Sequence, residues 1–227
     1  MIPLFHDFRD ESVLVVGGGS VGARKARRFA AEADVTVLSP EFGDREFGDA
    51  DLVRAAPGPA DAGEWVNRTD PALVVAATDD GTVNEAFASA AREAGALVNR
   101  ADESESASGS DDAESRDADS VVVPATAGED PVTVAVSTGG QSPALSKYLR
   151  EEFEAEFAGA GEMAELTGDL RTELKQSGVA PADRRDAVRA VVRSEPVWKA
   201  LRTGDANPRE RAEAAVRRAV GDVDWST

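Results

Sequence analysis

A glycine-rich turn placed directly after a short apolar run constrains the fold of this chain more than any other feature. Residues 12–16 read Ser-Val-Leu-Val-Val, a pattern typical of a buried parallel strand. Residues 17–22 follow at once as Gly-Gly-Gly-Ser-Val-Gly, and an Ala-rich stretch with helical character begins at Ala23. The pattern G-x-G-x-x-G is weak alone, but between a strand and a helix it indicates a dinucleotide-binding domain.

Each glycine of this turn has its own predicted role. Gly17 allows the tight turn, Gly19 lets the backbone approach a pyrophosphate, and Gly22 lets the helix pack closely on the strand. Free amides at the helix start, including those of Ser20 and Val21, favour an anion there. We therefore predict that these five residues bind a dinucleotide, with a purely structural glycine turn as the alternative.

Further strands alternate with helices along the first hundred residues. Apolar runs predict strands at residues 35–38, 72–77 and 97–99 and a short one near 52–53, while helices are expected around 60–65 and 83–93. This alternation predicts an α/β fold, a Rossmann-like doubly wound parallel sheet. Ligands bind such sheets at the carboxyl ends of the strands, so the residues that follow each strand are the candidates for a site.

Two strand ends supply candidate cofactor residues. Thr78 and Asp79 follow the strand at 72–77, and we predict that they contact the cofactor, with capping of the next helix by Thr78 or Asp80 as the alternative. Ser39 ends the second strand, where an acidic residue commonly binds the ribose. Glu41 comes slightly late and no Arg stands there to receive a 2′-phosphate, so the residues leave NAD or NADP open.

The second half of the chain is helical after an acidic interruption. Residues 103–119 contain one basic and no large apolar side chain, which predicts a disordered acidic loop, with an interaction segment as the alternative. Residues 132–137 alternate like a strand. Ser142 and Pro143 then suit the start of a helix, and the helical pattern runs to Val220 with breaks near residues 159–161, 177–178, 194–196 and 203–204.

Composition excludes several classes of function. The 227 residues contain no Cys and one His (His6, expected to be a surface or packing residue), so a thiolate metal site, a Cys nucleophile or a Ser-His-Asp triad is not expected. A net charge of −18 argues against nucleic-acid binding. We find no apolar run of membrane-spanning length and no signal peptide, and therefore expect a cytoplasmic protein without a membrane partner. Of 25 basic residues only four are Lys, a pattern typical of salt-loving organisms; a generic acidic protein is the alternative.

Together these segments resemble the precorrin-2 dehydrogenase family, which forms the N-terminal part of siroheme synthases. The resemblance rests on residues 3–5, on residues 15–25, on residues 76–84, on Val98 to Asp102, and on residues 135–145, in the order the family has them. It implies NAD-dependent oxidation of precorrin-2 to sirohydrochlorin in siroheme or related tetrapyrrole biosynthesis, by an oxidoreductase that is a homodimer. Some members also insert Fe²⁺ or Co²⁺ into the product. The resemblance further implies a Rossmann-like domain at 1–120, an α+β dimerisation region at 121–157 and a helical domain at 158–227.

The resemblance assigns roles to further residues. By position, Asp102 matches the family's general base, which also serves chelation in bifunctional members; no other metal residue is expected. From the residues alone, an Asp that ends a strand is more often a turn residue. Arg100, which replaces a commonly apolar residue, would add a positive charge beside Asp102 and lower its pKa.

Precorrin-2 carries eight carboxylates, so the protein needs groups that bind anions. Glycines before a helix start expose amides, and nearby basic side chains add charge. The predicted substrate-binding residues are Arg24, Lys25, Thr138, Gly139, Gly140, Ser142, Lys147 and Arg150. Two other readings remain: a nucleotide-sensing regulatory module without catalysis, and a chelatase without dehydrogenase activity. We expect no fused methyltransferase, so another protein would supply precorrin-2.

Overall fold

The computed structural model describes residues 2–101 and 119–223, which form two compact units, one up to Val123 and one from Pro124. The N-terminal unit contains five parallel strands in the order β3-β2-β1-β4-β5. Their bounds are β1 Ser12–Val16, β2 Asp34–Ser39, β3 Asp51–Arg54, β4 Leu73–Ala76 and β5 Leu97–Arg100. The helices are α1 Ser20–Phe29, α2 Ala62–Thr69 and α3 Gly81–Glu93, with a 3₁₀ turn at Pro59–Asp61.

Helices cover both faces of this sheet, because successive strand residues point to opposite sides. Val13 and Val15 of β1 pack in one cluster with Ala26 of α1. Leu14 and Val16 of the same strand pack in the other cluster, with residues of α2 and α3. Strands buried on both faces explain why β1 and β4 are uninterrupted apolar runs. The connection from β1 leads to β2 on one side and β4 lies on the other, which is the topological switch point where open α/β sheets bind ligands.

The C-terminal unit combines a small hairpin with five helices. The antiparallel strands β6 (Ala125–Ala127) and β7 (Val134–Val136) lie against α4 (Pro143–Glu156). Helices α5 (Ala160–Gln176), α6 (Pro181–Val192), α7 (Glu195–Thr203) and α8 (Pro208–Val220) enclose a separate core. Leu170, Leu174, Val191, Val197 and Val216 are fully buried in it.

The Rossmann-like fold class and the C-terminal helical region are confirmed. All four predicted helix breaks separate observed helices, and Pro stands at the first or second position of α4, α6, α7 and α8. The strand predicted at 132–137 covers only Val134–Val136. Strand β6 was not predicted, because its three small residues are too few to show an alternation of apolar and polar side chains. The predicted acidic loop falls on residues outside the described part, except Asp119.

Candidate active site

The glycine-rich turn lies between the carboxyl ends of β2 and β4. The Gly17 amide donates to the Leu38 carbonyl at 2.9 Å, and an ideal Cβ on Gly17 would stand 2.3 Å from the Ala77 carbonyl oxygen. Gly17 also has φ +118°, which L side chains rarely adopt. Both the backbone conformation and the close approach to β4 therefore require glycine at this position.

The other glycines of the turn differ in what surrounds them. A Cβ on Gly22 would stand 1.9 Å from the Gly17 carbonyl oxygen, and one on Gly18 would stand 2.6 Å from the Ser39 hydroxyl. By contrast, a Cβ on Gly19 would meet nothing within 4 Å, and Gly19 has an ordinary φ of −70°. Gly17, Gly18 and Gly22 are thus required by packing, whereas the surface at Gly19 is open for a ligand to approach the backbone.

The start of α1 leaves amide donors for an anion. Gly19 is the N-cap residue, so no side chain caps this helix end, and no acidic residue lies in its first turn. The first amides of a helix, here those of Ser20, Val21 and Gly22, have no acceptor within the helix. Since these amides lie beside the open surface at Gly19, this cradle fits the pyrophosphate of a dinucleotide.

Thr78 is held at the same sheet edge by Asn84 of α3. The Thr78 hydroxyl donates to Asn84 Oδ1 at 2.7 Å, the Thr78 amide donates to the same oxygen at 3.0 Å, and Asn84 Nδ2 donates to the Thr78 carbonyl at 2.9 Å. Asn84 is buried. Because Thr78 follows Ala77, whose carbonyl lies against Gly17, these hydrogen bonds hold the backbone beside the glycine turn in place.

Asp80 caps α3, as the capping interpretation predicted. Its carboxylate accepts from the amides of Thr82 at 2.8 Å and Val83 at 3.3 Å, and hydrogen bonding to Thr82 is the main cause that lowers the Asp80 pKa. Asp79 is exposed. Capping is therefore the observed role of Asp80, while a cofactor contact by Thr78 and Asp79 stays a prediction.

Ser39 is buried at the end of β2, and its hydroxyl serves the following turn. It donates to the Glu41 carbonyl at 2.6 Å, which also places Glu41 close to Gly18. The donor capacity of this hydroxyl is thus used within the protein. Toward a ribose, Ser39 can therefore offer only a lone pair of its hydroxyl oxygen. It has no carboxylate to accept hydrogen bonds from the ribose hydroxyls.

A basic pocket beside Ser20 was not foreseen from the sequence. It has a volume of about 240 Å³ and is lined by Arg24, Arg27 and Arg45 together with Glu46. Arg27 lies 3.8 Å from Glu46, so three guanidinium groups face one carboxylate. Of the three arginines only Arg24 was a predicted anion-binding residue, and Gly43, with φ +59°, forms the turn two residues before Arg45.

Lys25 occupies a partly buried place on α1. Burial lowers its pKa to about 8, and the neighbouring charges of Arg24 and Arg28 add to the effect. Near neutral pH a small change of environment therefore alters the charge of this side chain. Arg24, in contrast, is exposed on the same helix and lines the basic pocket.

The end of β5 leads to the predicted base. Asn99 is buried, and its Nδ2 donates to the Val121 carbonyl at 2.8 Å, while its Oδ1 has no hydrogen-bond partner among the described residues. Arg100 pairs with Glu85 of α3. This partner was not anticipated, because Glu85 is distant in sequence and meets Arg100 only through the packing of α3 on β5. Asp102 itself lies outside the described residues.

The predicted anion-binding residues of the C-terminal unit lie at the turn before α4. Gly139 and Gly140 have φ of +65° and +85°, and Ser142 caps the helix by accepting from the Leu145 amide at 3.3 Å. The Thr138 hydroxyl accepts from the Ser142 amide at 3.1 Å. The turn is therefore tied to the helix start by side chains, which the run Ser-Thr-Gly-Gly-Gln-Ser-Pro had indicated.

Lys147 and Arg150 on α4 face carboxylates of the same helix. Lys147 lies 3.8 Å from Glu151, and Arg150 lies 2.7 Å from Glu154 and 3.5 Å from Glu151. A substrate carboxylate would have to compete with these exposed pairs, which are individually weak.

The described residues also bear on membrane-spanning helices and metal sites. In residues 2–101 and 119–223, no helix is long and apolar enough to cross a membrane. Within the same ranges, no group of three or more His, Asp or Glu side chains is arranged to hold a metal ion.

Known proteins resemble both halves of the chain. A family described as putative NAD(P)-binding matches residues 4–109, and a family described as sirohaem biosynthesis protein central matches residues 129–156. A solved structure named SirC, precorrin-2 dehydrogenase, superimposes with a TM-score of 0.64 over 95% of this chain and 98% of that one, at 22% identity. This likeness confirms the fold.

Two curated relatives extend the comparison. A siroheme synthase of Shigella boydii is 33% identical over 81% of this chain but only 38% of its own length, so this chain spans less than half of that enzyme. A precorrin-2 dehydrogenase of Methanosarcina barkeri is 31% identical over 95% of this chain and 93% of its own length. Because this relative is 31% identical over most of both chains and an NAD(P)-binding family matches the glycine-rich half, this chain belongs to the precorrin-2 dehydrogenase family of oxidoreductases.

Proposed function

We propose that this chain oxidises precorrin-2 to sirohydrochlorin with NAD⁺ as the hydride acceptor. The reaction removes one hydride and one proton from the macrocycle, and gives NADH and H⁺. The observation that carries the proposal is the open surface at Gly19, which lies beside uncapped amides in a chain of this family. A nucleotide sensor would need the same cradle but no base.

The residues that would hold the dinucleotide are Gly17, Gly19, Ser20, Val21 and Gly22, with Ser39, Thr78 and Asp79 around them. When bound, the nicotinamide supplies the hydride acceptor. The protein contributes amide donors for the pyrophosphate and a wall at Thr78 that Asn84 keeps in place. Parallel titrations with NAD⁺ and NADP⁺ test which is preferred, because three guanidinium groups lie near Ser20.

Asp102 is the proposed base. It follows the end of β5 by two residues, where Asn99 is anchored to Val121 and Arg100 to Glu85. These two contacts hold the end of β5 in place, and a base two residues further along the chain needs such a fixed starting point. The variant Asp102→Asn keeps the size of the side chain and removes the proton acceptor, so kcat should fall at least about a hundredfold.

The proposed substrate contacts are Arg24, Lys25, Thr138, Gly139, Gly140, Ser142, Lys147 and Arg150. The double variant Lys147→Ala/Arg150→Ala should raise KM and leave kcat near that of the wild type. Unchanged KM would remove these two residues from the substrate site.

A homodimer is the proposed assembly. In α4 no residue is buried, and Leu145, Tyr148 and Leu149 are each more than 40% exposed, which supports an apolar face that another subunit covers. Light scattering of wild type and of Tyr148→Glu/Leu149→Glu tests this assignment. A wild-type mass of one chain would contradict it.

The deciding experiment is anaerobic incubation of the protein with precorrin-2 and NAD⁺, following NADH and the spectrum of sirohydrochlorin. Wild type should form both in equal amounts, and Asp102→Asn should form neither at a comparable rate. Absence of NADH with wild type that binds NAD⁺ would favour a sensor. Addition of Fe²⁺ or Co²⁺ to sirohydrochlorin without NAD⁺ separately tests chelation.

A further inference from the structure

A basic groove lies between α5 and α6 of the C-terminal unit. Its volume is about 930 Å³, which is the size of a site for a large organic molecule. Six of its ten lining residues are cationic, although the chain as a whole carries a net charge of −18. The cationic residues are Arg171, Lys175, Arg184, Arg185, Arg189 and Arg193.

The groove is built by helical spacing. On α6 and just beyond it, the lining residues recur every three or four positions, as Pro181, Arg184 and Arg185, Val188 and Arg189, then Val192 and Arg193. This spacing forms one continuous stripe on the helix. Ala187 and Val191, between these positions, are fully buried in the core instead. Arg171 and Lys175 are one helical turn apart on α5 and form the opposite wall.

Most of these charges have no carboxylate to compensate them. Arg189 pairs with Asp186 at 2.8 Å. Among the described residues, no carboxylate lies within ion-pair distance of the other five cations. Several unpaired like charges in one groove repel one another, so an anion that binds there relieves this repulsion.

The groove also has an apolar part. Pro181, Val188 and Val192 line it among the charges, and Val192 is 42% exposed. Inorganic anions and citrate have no apolar surface to cover these side chains. A ligand that matches both parts combines an apolar face with several carboxylates at its edge.

We infer that this groove binds a tetrapyrrole polycarboxylate through guanidinium–carboxylate contacts around an apolar floor. The inference rests on the proposed function only for the choice of ligand, because precorrin-2 and sirohydrochlorin are the amphiphilic polycarboxylates of that reaction. An acidic chain repels nucleic acid over most of its surface, so an oligonucleotide is the disfavoured occupant.

The test uses uroporphyrin I, a fluorescent octacarboxylate that is neither substrate nor product, so it does not depend on turnover. Binding to the full chain is followed by fluorescence anisotropy. The groove variant is Arg184→Gln/Arg185→Gln, and the matched control is Arg217→Gln/Arg218→Gln, which removes two exposed charges from α8 of the same unit. Loss of two charged contacts should weaken binding about tenfold in the groove variant and less than twofold in the control.

A second variant tests the apolar floor. Val192→Thr keeps nearly the same side-chain volume and should weaken the binding of uroporphyrin I severalfold. The inhibition constant of citrate, which has no apolar surface, should be the same for this variant and the wild type. Circular dichroism shows whether each variant keeps its helices. The NAD⁺ affinity should stay unchanged in all of them, which separates this inference from the proposed function.

Three results would overturn the inference. Equal affinity of the groove variant and the control would place uroporphyrin I elsewhere. Binding of a short RNA or DNA oligonucleotide that the groove variant loses, without binding of uroporphyrin I, would assign the groove to nucleic acid. A groove variant that changes only the oligomeric state would make the groove an interface between copies of this chain.

Discussion

Substitution of single glycines in the turn separates packing from cofactor binding. In Gly22→Ala the new Cβ would stand 1.9 Å from the Gly17 carbonyl oxygen, a backbone atom that cannot rotate away. In Gly19→Ala the new Cβ would meet nothing within 4 Å, and φ −70° suits any residue. The two variants add the same methyl group three residues apart, and we expect opposite effects on stability and binding.

The magnitudes follow from these distances. Overpacking costs about 1–3 kcal/mol, and the Gly22 clash belongs at the upper end because backbone must move. Ala favours a helix over Gly by about 1 kcal/mol, so Gly22→Ala should lose about 2 kcal/mol in net free energy of unfolding. For Gly19→Ala, the weaker N-cap and the smaller entropy of the unfolded chain offset each other to within about 0.5 kcal/mol.

For cofactor binding, Gly19→Ala should be the variant with the direct effect, although it hardly changes stability. A methyl group on Gly19 occupies the open surface and keeps a pyrophosphate away from the amides of α1. Loss of a hydrogen bond to a charged group, worth about 1.5–3 kcal/mol, weakens NAD⁺ about ten- to a hundredfold. Gly63 of α2, where a Cβ also meets nothing within 4 Å, is the matched control, and Gly63→Ala should bind NAD⁺ as the wild type does.

Urea unfolding and calorimetric titration with NAD⁺ measure both quantities. In a Trp198→Phe/Trp225→Phe background, the fluorescence of Trp65 reports the unfolding of the N-terminal unit, which carries the turn, and circular dichroism follows the whole chain. Wild-type stability of Gly22→Ala would refute the packing argument. Wild-type NAD⁺ affinity of a folded Gly19→Ala would refute the assignment of the cradle.

Three further predictions concern charged side chains. Burial lowers the pKa of Lys25 to about 8, so the protonated form destabilises the fold. The free energy of unfolding of the wild type, measured in urea, should therefore rise by up to ~3 kcal/mol relative to Lys25→Met between pH 8 and 10.5. No rise would contradict the burial of the ammonium group. Asp80→Ala should lower the melting temperature by a few degrees and Asp80→Asn much less, because Asn retains the cap; equal losses would exclude capping as the cause. Arg209 donates to both oxygens of Glu173 on α5 and to Glu213 at 2.9 Å, so Arg209→Lys should lose about 1 kcal/mol by forfeiting the two-pronged contact; Glu173→Gln in that background should then cost little further.

Much of the N-terminal unit could be predicted because its signals are local. The strand at residues 12–16 is buried on both faces and therefore reads as a continuous apolar run, and Gly17 and Gly22 are dictated by contacts that any other residue would break. Helix starts were equally legible, since Ser142 caps α4 and Pro143 follows it. In each case the physical cause acts within a few residues of the chain.

Features that depend on distant partners could not be predicted. The pairing of Arg100 with Glu85, fifteen positions earlier, was not predicted, because it depends on the packing of α3 on β5. The expected effect of Arg100 on Asp102 stays a prediction. Thr78 was recognised as a candidate, yet its fixation by the buried side chain of Asn84 was not. The basic pocket at Arg45 forms only where the loop after β2 returns beside α1.

The sequence by itself determined the fold class, the dinucleotide turn and the family, because these rest on periodicity and on glycines that local backbone geometry requires. Only the tertiary structure decided which glycine faces open space, which carboxylate caps α3, and which basic residues share a groove. The net charge is a sum over all residues, so it does not show where basic side chains come together in the fold. The packing of α5 against α6 places six basic side chains along one groove of a protein whose net charge is −18.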